Sequence, residues 1–487
     1  MTSSVRFLLG HEARELRDVD PTQTVLQWLR TDARANGTKE GCAEGDCGAC
    51  TVVIGAPDGR GGMRYRAVNA CILFVPTLDG CQLLTVEHLQ RDDGALHPVQ
   101  QAMVDYHGSQ CGFCTPGFVM SLFALYLTED RPTRQRVNDV LAGNLCRCTG
   151  YRPIVDAAMA MYDYAWEDHT RARAAETAER LSAMRRDDTL ALEHDGRRYF
   201  APVNAAGLAA VLADHPQATL LAGGTDVGLW VTKQHRDLDT VVYVGDVAEL
   251  HGIEERSDGV EIGAAVTHSE AYATLERYFP DFGELMRRFA SVQIRNSGTL
   301  GGNIANGSPI GDSMPVLIAL GARLVLRGPD GQRELPLEDY FIDYGKQDRG
   351  PGEFVERIKV PALADNEHFR CYKISKRFDQ DISAVCAAFK VRIADGRVVE
   401  ARTGFGGVAA TPRRARHTEA ELTGQRWNEE TVQKGEAALT AEFTPLTDMR
   451  ASQEYRRLVT AQLLRKFYIE TTQPGEATRV LAEEAEA

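Results

Sequence analysis

The order of apolar and polar positions divides the chain into regions of different secondary structure. Residues 5–9 and 14–18 are typical of two strands of a hairpin closed by Gly10–His11. Between residues 24 and 35 the apolar positions 25, 26 and 29 have helical spacing, and Gly37 is placed to end this helix. Further strands flank a cysteine-containing loop at residues 42–50, and Thr51 begins one of them. This mixture predicts a small α+β domain over residues 1–85.

The pattern becomes helical after about residue 85. Residues 96–106, 117–128 and 133–143 all have spacings that predict helices, which indicates a helical domain over residues 86–165. Residues 166–190 are charged and alanine-rich, so we expect a partly helical linker. Residues 191–362 and 363–475 mix β-branched strands with helices and glycine turns, and predict two further α+β domains. Residues 476–487 form an acidic tail that we expect to fray.

Composition and charge limit the class of protein. A chain of 487 residues is too long for one hydrophobic core, so three or four domains are expected. No apolar run reaches the length of a membrane span, and the N-terminus shows no signal-peptide pattern. The net charge of −14 argues against a nucleic-acid partner. We therefore expect a cytoplasmic protein whose cysteines are reduced.

Eight of the eleven cysteines fall into two quartets with different spacing. The first quartet has the spacing C-x4-C-x2-C-x20-C and consists of Cys42, Cys47, Cys50 and Cys71. Four thiolates with this spacing hold the 2Fe–2S cluster of a plant-type ferredoxin. The spacing C-x2-C-x31-C-x-C is that of Cys111, Cys114, Cys146 and Cys148. Zinc is the alternative metal for each quartet, because thiolates are suitable ligands for both iron–sulfur clusters and zinc. The C-x-C pair of the second quartet does not match a zinc ribbon.

The remaining three cysteines are expected to be buried as small apolar side chains. They are Cys81, Cys371 and Cys386.

Two glycine-rich segments follow the cysteine-rich region. Residues 220–227 read LLAGGTDV and residues 296–312 read NSGTLGGNIANGSPIGD. Small residues with exposed backbone N–H groups can surround a pyrophosphate, although a sharp turn also explains the first segment. Neither segment fits G-x-G-x-x-G, so the sequence does not predict a Rossmann dinucleotide site.

Four cysteine motifs together resemble the iron–sulfur half of the molybdenum hydroxylase family. They are KEGCAEGDCGACTVV, NACILF, QCGFCTPGFVMSL and AGNLCRCTGYRPI, and the resemblance covers residues 1 to about 165. It implies a β-grasp 2Fe–2S ferredoxin domain and a helical-bundle 2Fe–2S domain. It also implies that the second quartet lies nearer the molybdenum cofactor and the first nearer a flavin. Gln110 matches the position that approaches the pterin, and the alternative is a helix-end glutamine that contacts local backbone.

The glycine-rich segments resemble the FAD-binding domain that this family shares with vanillyl-alcohol-oxidase-type flavoproteins, followed by a C-terminal α+β flavin subdomain. Lys373, in the segment YKISKR, corresponds to a flavin-contacting lysine; the alternative is a solvated strand edge. Phe378 departs from the acidic residue of several relatives. The resemblance implies FAD contacts at Leu221, Ala222, Gly223, Gly224, Thr225, Asp226, Val227, Phe289, Thr299, Gly301, Gly302, Asn303, Asp312 and Lys373.

The order of these parts implies one subunit of a larger enzyme, because no residues remain for a molybdenum-binding portion. By resemblance, a separate molybdopterin-binding large subunit hydroxylates hypoxanthine and xanthine, in a heterodimer or a dimer of heterodimers. Electrons then pass through two 2Fe–2S clusters and FAD to NAD⁺, and no catalytic residue lies in this chain. The alternatives are the same electron chain in an aldehyde or N-heterocycle dehydrogenase, or a stand-alone iron–sulfur flavoprotein reductase.

Overall fold

The computed structural model describes residues 4–91, 93–476 and 478. Most of the predicted acidic tail therefore lies outside the described residues. The chain divides into two compact units. The first unit comprises the residues up to His251 together with Thr267–Glu270 and Ala290–Thr299, and the second comprises Gly252–Val266, Ala271–Phe289 and the residues from Leu300 onward.

The N-terminal part of the first unit is a five-stranded mixed sheet with one helix. The sheet order is β2-β1-β5-β3-β4, in which β1 pairs antiparallel with β2 and parallel with β5. This arrangement confirms the predicted hairpin and α+β domain. The elements are β1 (Ser4–Leu9), β2 (Glu12–Arg17), α1 (Val25–Thr31), β3 (Thr51–Pro57), β4 (Met63–Asn69) and β5 (Gln82–Leu84).

The helix α1 is shorter than predicted. The Thr24 hydroxyl accepts a hydrogen bond from Gln27 N–H and caps its beginning. The N–H groups of Asp32 and Ala33 both donate to the carbonyl oxygen of Trp28, which ends the regular ladder before Gly37 is reached. The prediction placed the end at the glycine because it used side-chain spacing alone.

Four helices follow, and their apolar faces form a separate core. The helix α3 is buried along most of its length, α2 and α4 pack against it, and α5 packs against α2 and α4. The predicted helices at residues 96–106, 117–128 and 133–143 are confirmed with small shifts in their ends. The elements are α2 (Pro98–Asp105), α3 (Thr115–Thr128), α4 (Arg134–Leu141) and α5 (Arg152–Ala160).

The stretch expected to be a linker contains two helices, α6 (His169–Ala172) and α7 (Ala174–Met184). On α7 the side chains of Thr177, Ala178 and Leu181 are buried, and the helix packs against β1, β3 and β4. The segment is therefore partly helical, as expected, and it is docked on the N-terminal sheet. The domain boundaries themselves stay a prediction.

The first unit also contains a four-stranded sheet with the order β6-β7-β9-β8. Its apolar residues, including Leu192, Tyr199 and Val241, share one hydrophobic cluster with the N-terminal sheet. The two sheets are consequently held by a continuous core. The elements are β6 (Leu190–His194), β7 (Arg197–Ala201), α8 (Ala205–Asp214), β8 (Thr219–Leu221), α9 (Val227–Thr232) and β9 (Thr240–Tyr243).

A second five-stranded sheet, in the second unit, has the order β10-β11-β16-β12-β13. Helix α14 is apolar all round and fully buried, which suits a helix at the centre of a large core. The elements from residue 253 to residue 361 are β10 (Ile253–Arg256), β11 (Gly259–Gly263), α10 (His268–Tyr278), α11 (Pro280–Arg288), α12 (Val292–Arg295), α13 (Leu300–Asn306), α14 (Ser313–Leu320), β12 (Arg323–Gly328), β13 (Gly331–Pro336), β14 (Phe341–Asp343), β15 (Lys346–Gln347) and β16 (Phe354–Pro361).

The second unit ends in a three-stranded antiparallel sheet, β17-β18-β19, followed by three helices. Together with the other sheets, it confirms the predicted multidomain α+β class. No helix among the described residues is long and apolar enough to cross a membrane. The elements are β17 (Glu367–Ile374), β18 (Val385–Ala394), β19 (Arg397–Gly406), α15 (Arg416–Leu422), α16 (Glu429–Glu442) and α17 (Gln453–Thr472).

Candidate functional site

The first cysteine quartet lies on the loop between α1 and β3, with Cys71 just beyond β4. The sulfur atoms of Cys50 and Cys71 are 3.2 Å apart. The backbone N–H groups of Cys47 and Glu44 donate to Cys42 Sγ at 3.3 and 3.5 Å. Backbone N–H groups that point at a sulfur stabilise a thiolate, which is the form that binds iron.

Contacts between the thiols move their pKa values in opposite directions. A hydrogen bond from Cys47 holds the pKa of Cys42 well below its usual range. Hydrogen bonds to Cys42 and Cys50 raise the pKa of Cys71. Because a metal binds these sulfur atoms as thiolates, its binding would release the protons that they carry.

The second quartet joins two parts of the helical region. Cys111 and Cys114 immediately precede α3, whereas Cys146 and Cys148 lie on the loop between α4 and α5. The thiols contact each other in two pairs, Cys111 with Cys148 and Cys114 with Cys146. Burial, followed by the contact with Cys146, raises the pKa of Cys114 to about 12. Among the described residues, no three or more His, Cys, Asp or Glu side chains are arranged as ligands of a single metal ion. The donor set of four thiols in each quartet fits a 2Fe–2S cluster.

The loops that carry the two quartets are in direct contact. The N–H group of Leu145 donates to the carbonyl oxygen of Cys47 at 3.0 Å. Gly48 has a φ of +69°, and a Cβ atom there would lie 2.2 Å from the carbonyl oxygen of Gly143. Only glycine therefore allows the two loops to approach this closely.

The first predicted flavin loop, Leu221–Val227, connects β8 to α9 in the first unit. A Cβ atom at Gly223 would lie 1.9 Å from the carbonyl oxygen of Ser297. The loop therefore lies directly against the start of the second glycine-rich segment, where Thr299 forms an isolated β-bridge with Thr267. The fold thus brings together the two glycine-rich segments, which the sequence predicted only separately.

The same flavin loop also lies against the first quartet. A Cβ atom at Gly224 would lie 3.1 Å from the carbonyl oxygen of Ile72, the residue that follows Cys71, and one at Gly228, on α9, would lie 2.7 Å from it. The Thr232 hydroxyl, at the end of α9, donates to the carbonyl oxygen of Ala43 at 2.8 Å. Helix α9 is consequently docked on the loop that carries the first quartet.

In the second unit, two of the predicted flavin contacts form a buried ion pair. Lys373 Nζ donates to Asp312 Oδ2 at 2.7 Å and to Ser383 Oγ at 2.8 Å. Both charged side chains are 2% exposed. The alternative of a solvated strand edge is therefore wrong for Lys373, because this position of β17 faces the interior. Ser383 ends the segment 379–383, which the resemblance places beside the flavin together with YKISKR, but it was not among the individual predicted contacts.

The other predicted contacts of the second unit lie on helices or directly after one. Gly301, Gly302 and Asn303 lie on α13, where the sequence indicated an open loop. The Ser313 hydroxyl donates to Asn303 Oδ1 at 2.6 Å, which ties α13 to the beginning of α14. Phe289 directly follows α11 and is half-buried.

The helical region that carries the second quartet exposes several apolar side chains. Gln110 is exposed, as are Cys111 and Cys148. Six large apolar side chains of the helical region are 37 to 58% exposed. These are Val104, Tyr106, Phe113, Leu145, Tyr151 and Met159. Apolar side chains that cluster on a surface can mark a protein-binding site.

Thiolate quartets on a ferredoxin-like domain and a helical bundle, beside glycine-rich loops on α+β domains, define an iron–sulfur flavoprotein. Three family models match the chain, and together they assign its parts. The "[2Fe-2S] binding domain" matches residues 85–159, the "FAD binding domain in molybdopterin dehydrogenase" residues 192–363, and the "CO dehydrogenase flavoprotein C-terminal domain" residues 370–471. The chain corresponds to the iron–sulfur and FAD portion of the molybdenum hydroxylase family.

Similar curated proteins include xanthine dehydrogenases. The chain is 33% identical to that of Emericella nidulans, with 89% of this chain and 36% of the relative covered. It is 32% identical to that of Drosophila subobscura, with coverages of 99% and 40%. The chain therefore spans about two fifths of the length of these relatives.

Two solved structures resemble parts of the fold. A carbon monoxide dehydrogenase from Hydrogenophaga pseudoflava, which lacks the Mo-pyranopterin moiety of its molybdenum cofactor, has a TM-score of 0.53 and 29% identity. The match covers 55% of this chain and 94% of that one. Quinoline 2-oxidoreductase from Pseudomonas putida 86 has a TM-score of 0.51 and 25% identity, with coverages of 56% and 96%.

Proposed function

We propose that the chain is the electron-transfer portion of an NAD-dependent xanthine dehydrogenase. A separate molybdopterin subunit hydroxylates hypoxanthine and xanthine, and two 2Fe–2S clusters and FAD carry the electrons to NAD⁺. The similarity to xanthine dehydrogenases of a fungus and an insect supports this choice of substrate. In this proposal the protein supplies ligands, spacing and electrostatics, while the redox chemistry belongs to the cofactors.

The observation that carries the proposal is an unbroken series of contacts within the first unit. The second-quartet loop contacts the first-quartet loop through Leu145 and Cys47. The first-quartet region contacts the flavin loop through Ile72 and Gly224. This order of contacts is the order in which electrons would pass from the second quartet to the first and then to the flavin.

The residues of this chain hold and orient the groups. The eight quartet cysteines would hold the clusters as thiolates, and the backbone of Leu221–Val227 would surround the FAD pyrophosphate. In the second unit, Asp312 and Ser383 orient the Lys373 ammonium group in a buried setting. A fixed, desolvated cation acts more strongly on a neighbouring group than the same charge in water.

The exposed apolar surface of the helical region supports a tight protein partner. The same region carries Gln110 and the exposed cysteines of the second quartet, where electrons from a molybdopterin subunit would enter. A stand-alone flavoprotein reductase would have no need of such a surface.

Cofactor analysis and electron flow test the proposal together. The purified holoprotein should contain about four irons and labile sulfide per polypeptide, as two 2Fe–2S clusters require, together with one flavin. Assembled with its molybdopterin subunit, it should reduce NAD⁺ with xanthine. Zinc without labile sulfide, or two clusters with no xanthine-dependent NADH formation, would refute the proposal.

A second candidate is the same electron chain in an N-heterocycle dehydrogenase. The resemblance to quinoline 2-oxidoreductase favours it, since the fold of that chain matches 56% of this one. A substrate screen of the assembled enzyme separates the candidates: turnover of quinoline-type rings without turnover of purines would select the second.

A further inference from the structure

Two buried amide side chains lie where the loops of the two quartets meet. Asn144 is 2% exposed and precedes Cys146 by two residues. Gln293 is 1% exposed and lies on the short helix α12, far away along the chain. Both belong to the first unit, and the sequence alone gave no reason to connect them.

Asn144 ties the second-quartet loop to the first. Its Nδ2 donates to the carbonyl oxygen of Gly48 at 3.1 Å and to Thr51 Oγ1 at 3.3 Å. Its Oδ1 accepts from Ser121 Oγ at 2.7 Å. The orientation of this one amide therefore controls contacts with the residue that follows Cys47 and with the beginning of β3.

Gln293 fixes that orientation. Its Nε2 lies 3.0 Å from Asn144 Oδ1, 3.1 Å from Ser121 Oγ and 3.3 Å from Thr51 Oγ1. All of these acceptors are oxygen atoms that already bind one another or the first-quartet loop. In a buried site, a hydrogen-bond network of this kind rigidifies the groups that it joins.

The helix that carries Gln293 is itself anchored. The Ser291 hydroxyl accepts from Ile294 N–H and caps the beginning of α12. At its other end, Asn296 Nδ2 donates to the carbonyl oxygen of Ala67 on β4 at 2.9 Å. The helix that carries Gln293 is thus held in a fixed position against the N-terminal sheet.

We infer that Gln293 is a positioning residue that sets the spacing between the two cysteine quartets by orienting Asn144. The inference rests on the proposed function, because spacing has a consequence only if both quartets hold clusters. Electron transfer slows steeply with distance, so a loosened second-quartet loop would slow transfer between the clusters without changing either ligand set.

The test compares Gln293→Leu and Gln293→Glu in the full-length holoprotein. Leucine removes the amide, and glutamate keeps the length but cannot donate to Asn144 Oδ1. The matched control is Gln135→Leu, an exposed glutamine on α4. Electron paramagnetic resonance of the fully reduced protein reports each cluster and the magnetic splitting between them. Hydrogen exchange of residues 141–149 reports the loop.

Both variants should keep their iron content and the separate signals of the two clusters. Their magnetic splitting should change and exchange in residues 141–149 should become severalfold faster, while the control behaves as the unaltered protein. Unchanged splitting and exchange would overturn the inference, as would loss of a cluster in both variants, which would assign Gln293 a role in assembly instead. Absence of two 2Fe–2S signals from the unaltered protein would refute the proposed function itself.

Discussion

At the scale of single residues, the two quartets differ in how local their ligands are. The first draws all four cysteines from residues 42–71, whereas the second combines two pairs with 31 residues between them. A change in one quartet should therefore leave the other intact.

The variant Cys148→Ser should lose the second cluster alone, because a serine oxygen is a harder and poorer ligand for this iron than a thiolate. Iron should fall from about four to about two per polypeptide, and one 2Fe–2S resonance signal should remain. Xanthine-dependent NADH formation should collapse while NADH-dependent dye reduction persists. The control is Cys81→Ser, which lies outside both quartets. Loss of the dye activity as well would show that the proposed order of carriers is wrong.

Lys373 should support both stability and flavin binding. Lys373→Met leaves the Asp312 carboxylate buried without its cation, which should cost about 3–5 kcal/mol of unfolding free energy. The double variant Lys373→Met with Asp312→Leu should recover thermal stability but not flavin content. Recovery of both would reduce Lys373 to a structural role. Lys434→Met, an exposed lysine on α16, serves as the control.

His268 should make the protein sensitive to acid. Burial, with a smaller effect of Arg295, lowers its pKa from 6.5 to about 3. Below pH 6.5 the unfolded chain then binds a proton that the folded protein does not. This one group should therefore lower the free energy of unfolding by about 1.4 kcal/mol for each pH unit between about pH 6.5 and pH 3. Denaturant titrations between pH 7 and 5 should give a shallower pH dependence for His268→Gln than for the exposed control His417→Gln.

At the scale of elements, α7 shows how a charged segment can be docked rather than free. Arg186, just after α7, donates to Asp79 Oδ2 at 2.7 Å, and both side chains are under 10% exposed. The charge and composition of residues 166–190 indicated a linker, because nothing in the local sequence shows which face of α7 packs against a sheet.

The variant Arg186→Ala should detach this element. Asp79 would keep a buried charge without its partner, at a cost of about 3–5 kcal/mol. Limited trypsin digestion should then cleave residues 166–190 faster. The neighbouring exposed Arg185→Ala should change stability by no more than about 0.5 kcal/mol. Equal digestion of the two variants would show that the ion pair does not hold α7.

At the scale of the whole molecule, the exposed apolar side chains of the helical region predict where a partner binds. Val104→Glu, at a side chain that is 58% exposed, should weaken binding to the molybdopterin subunit because a charge would be buried in the interface. Leu458→Glu, at a similarly exposed position on α17, should leave binding unchanged. Titration of the labelled large subunit measures both. Equal affinities would place the partner elsewhere.

The sequence by itself determined the chemistry of this protein. Cysteine spacing is a local property, since a cluster needs four thiolates at particular separations, and it indicated both quartets directly. Helical periodicity likewise located α2, α3 and α4, because each buries one face of a continuous segment. The two glycine-rich segments could be singled out from their glycines for the same local reason, and their flavin contacts stay a prediction.

Only the tertiary structure decided how these local features combine. The contact of Leu145 with Cys47, the ion pair of Lys373 with Asp312, and the network around Gln293 each join residues that are distant along the chain. No periodicity encodes such contacts, because they depend on which faces pack together once the cores are buried. The order of the proposed electron path is therefore a property of the fold, although its parts can be identified in the sequence.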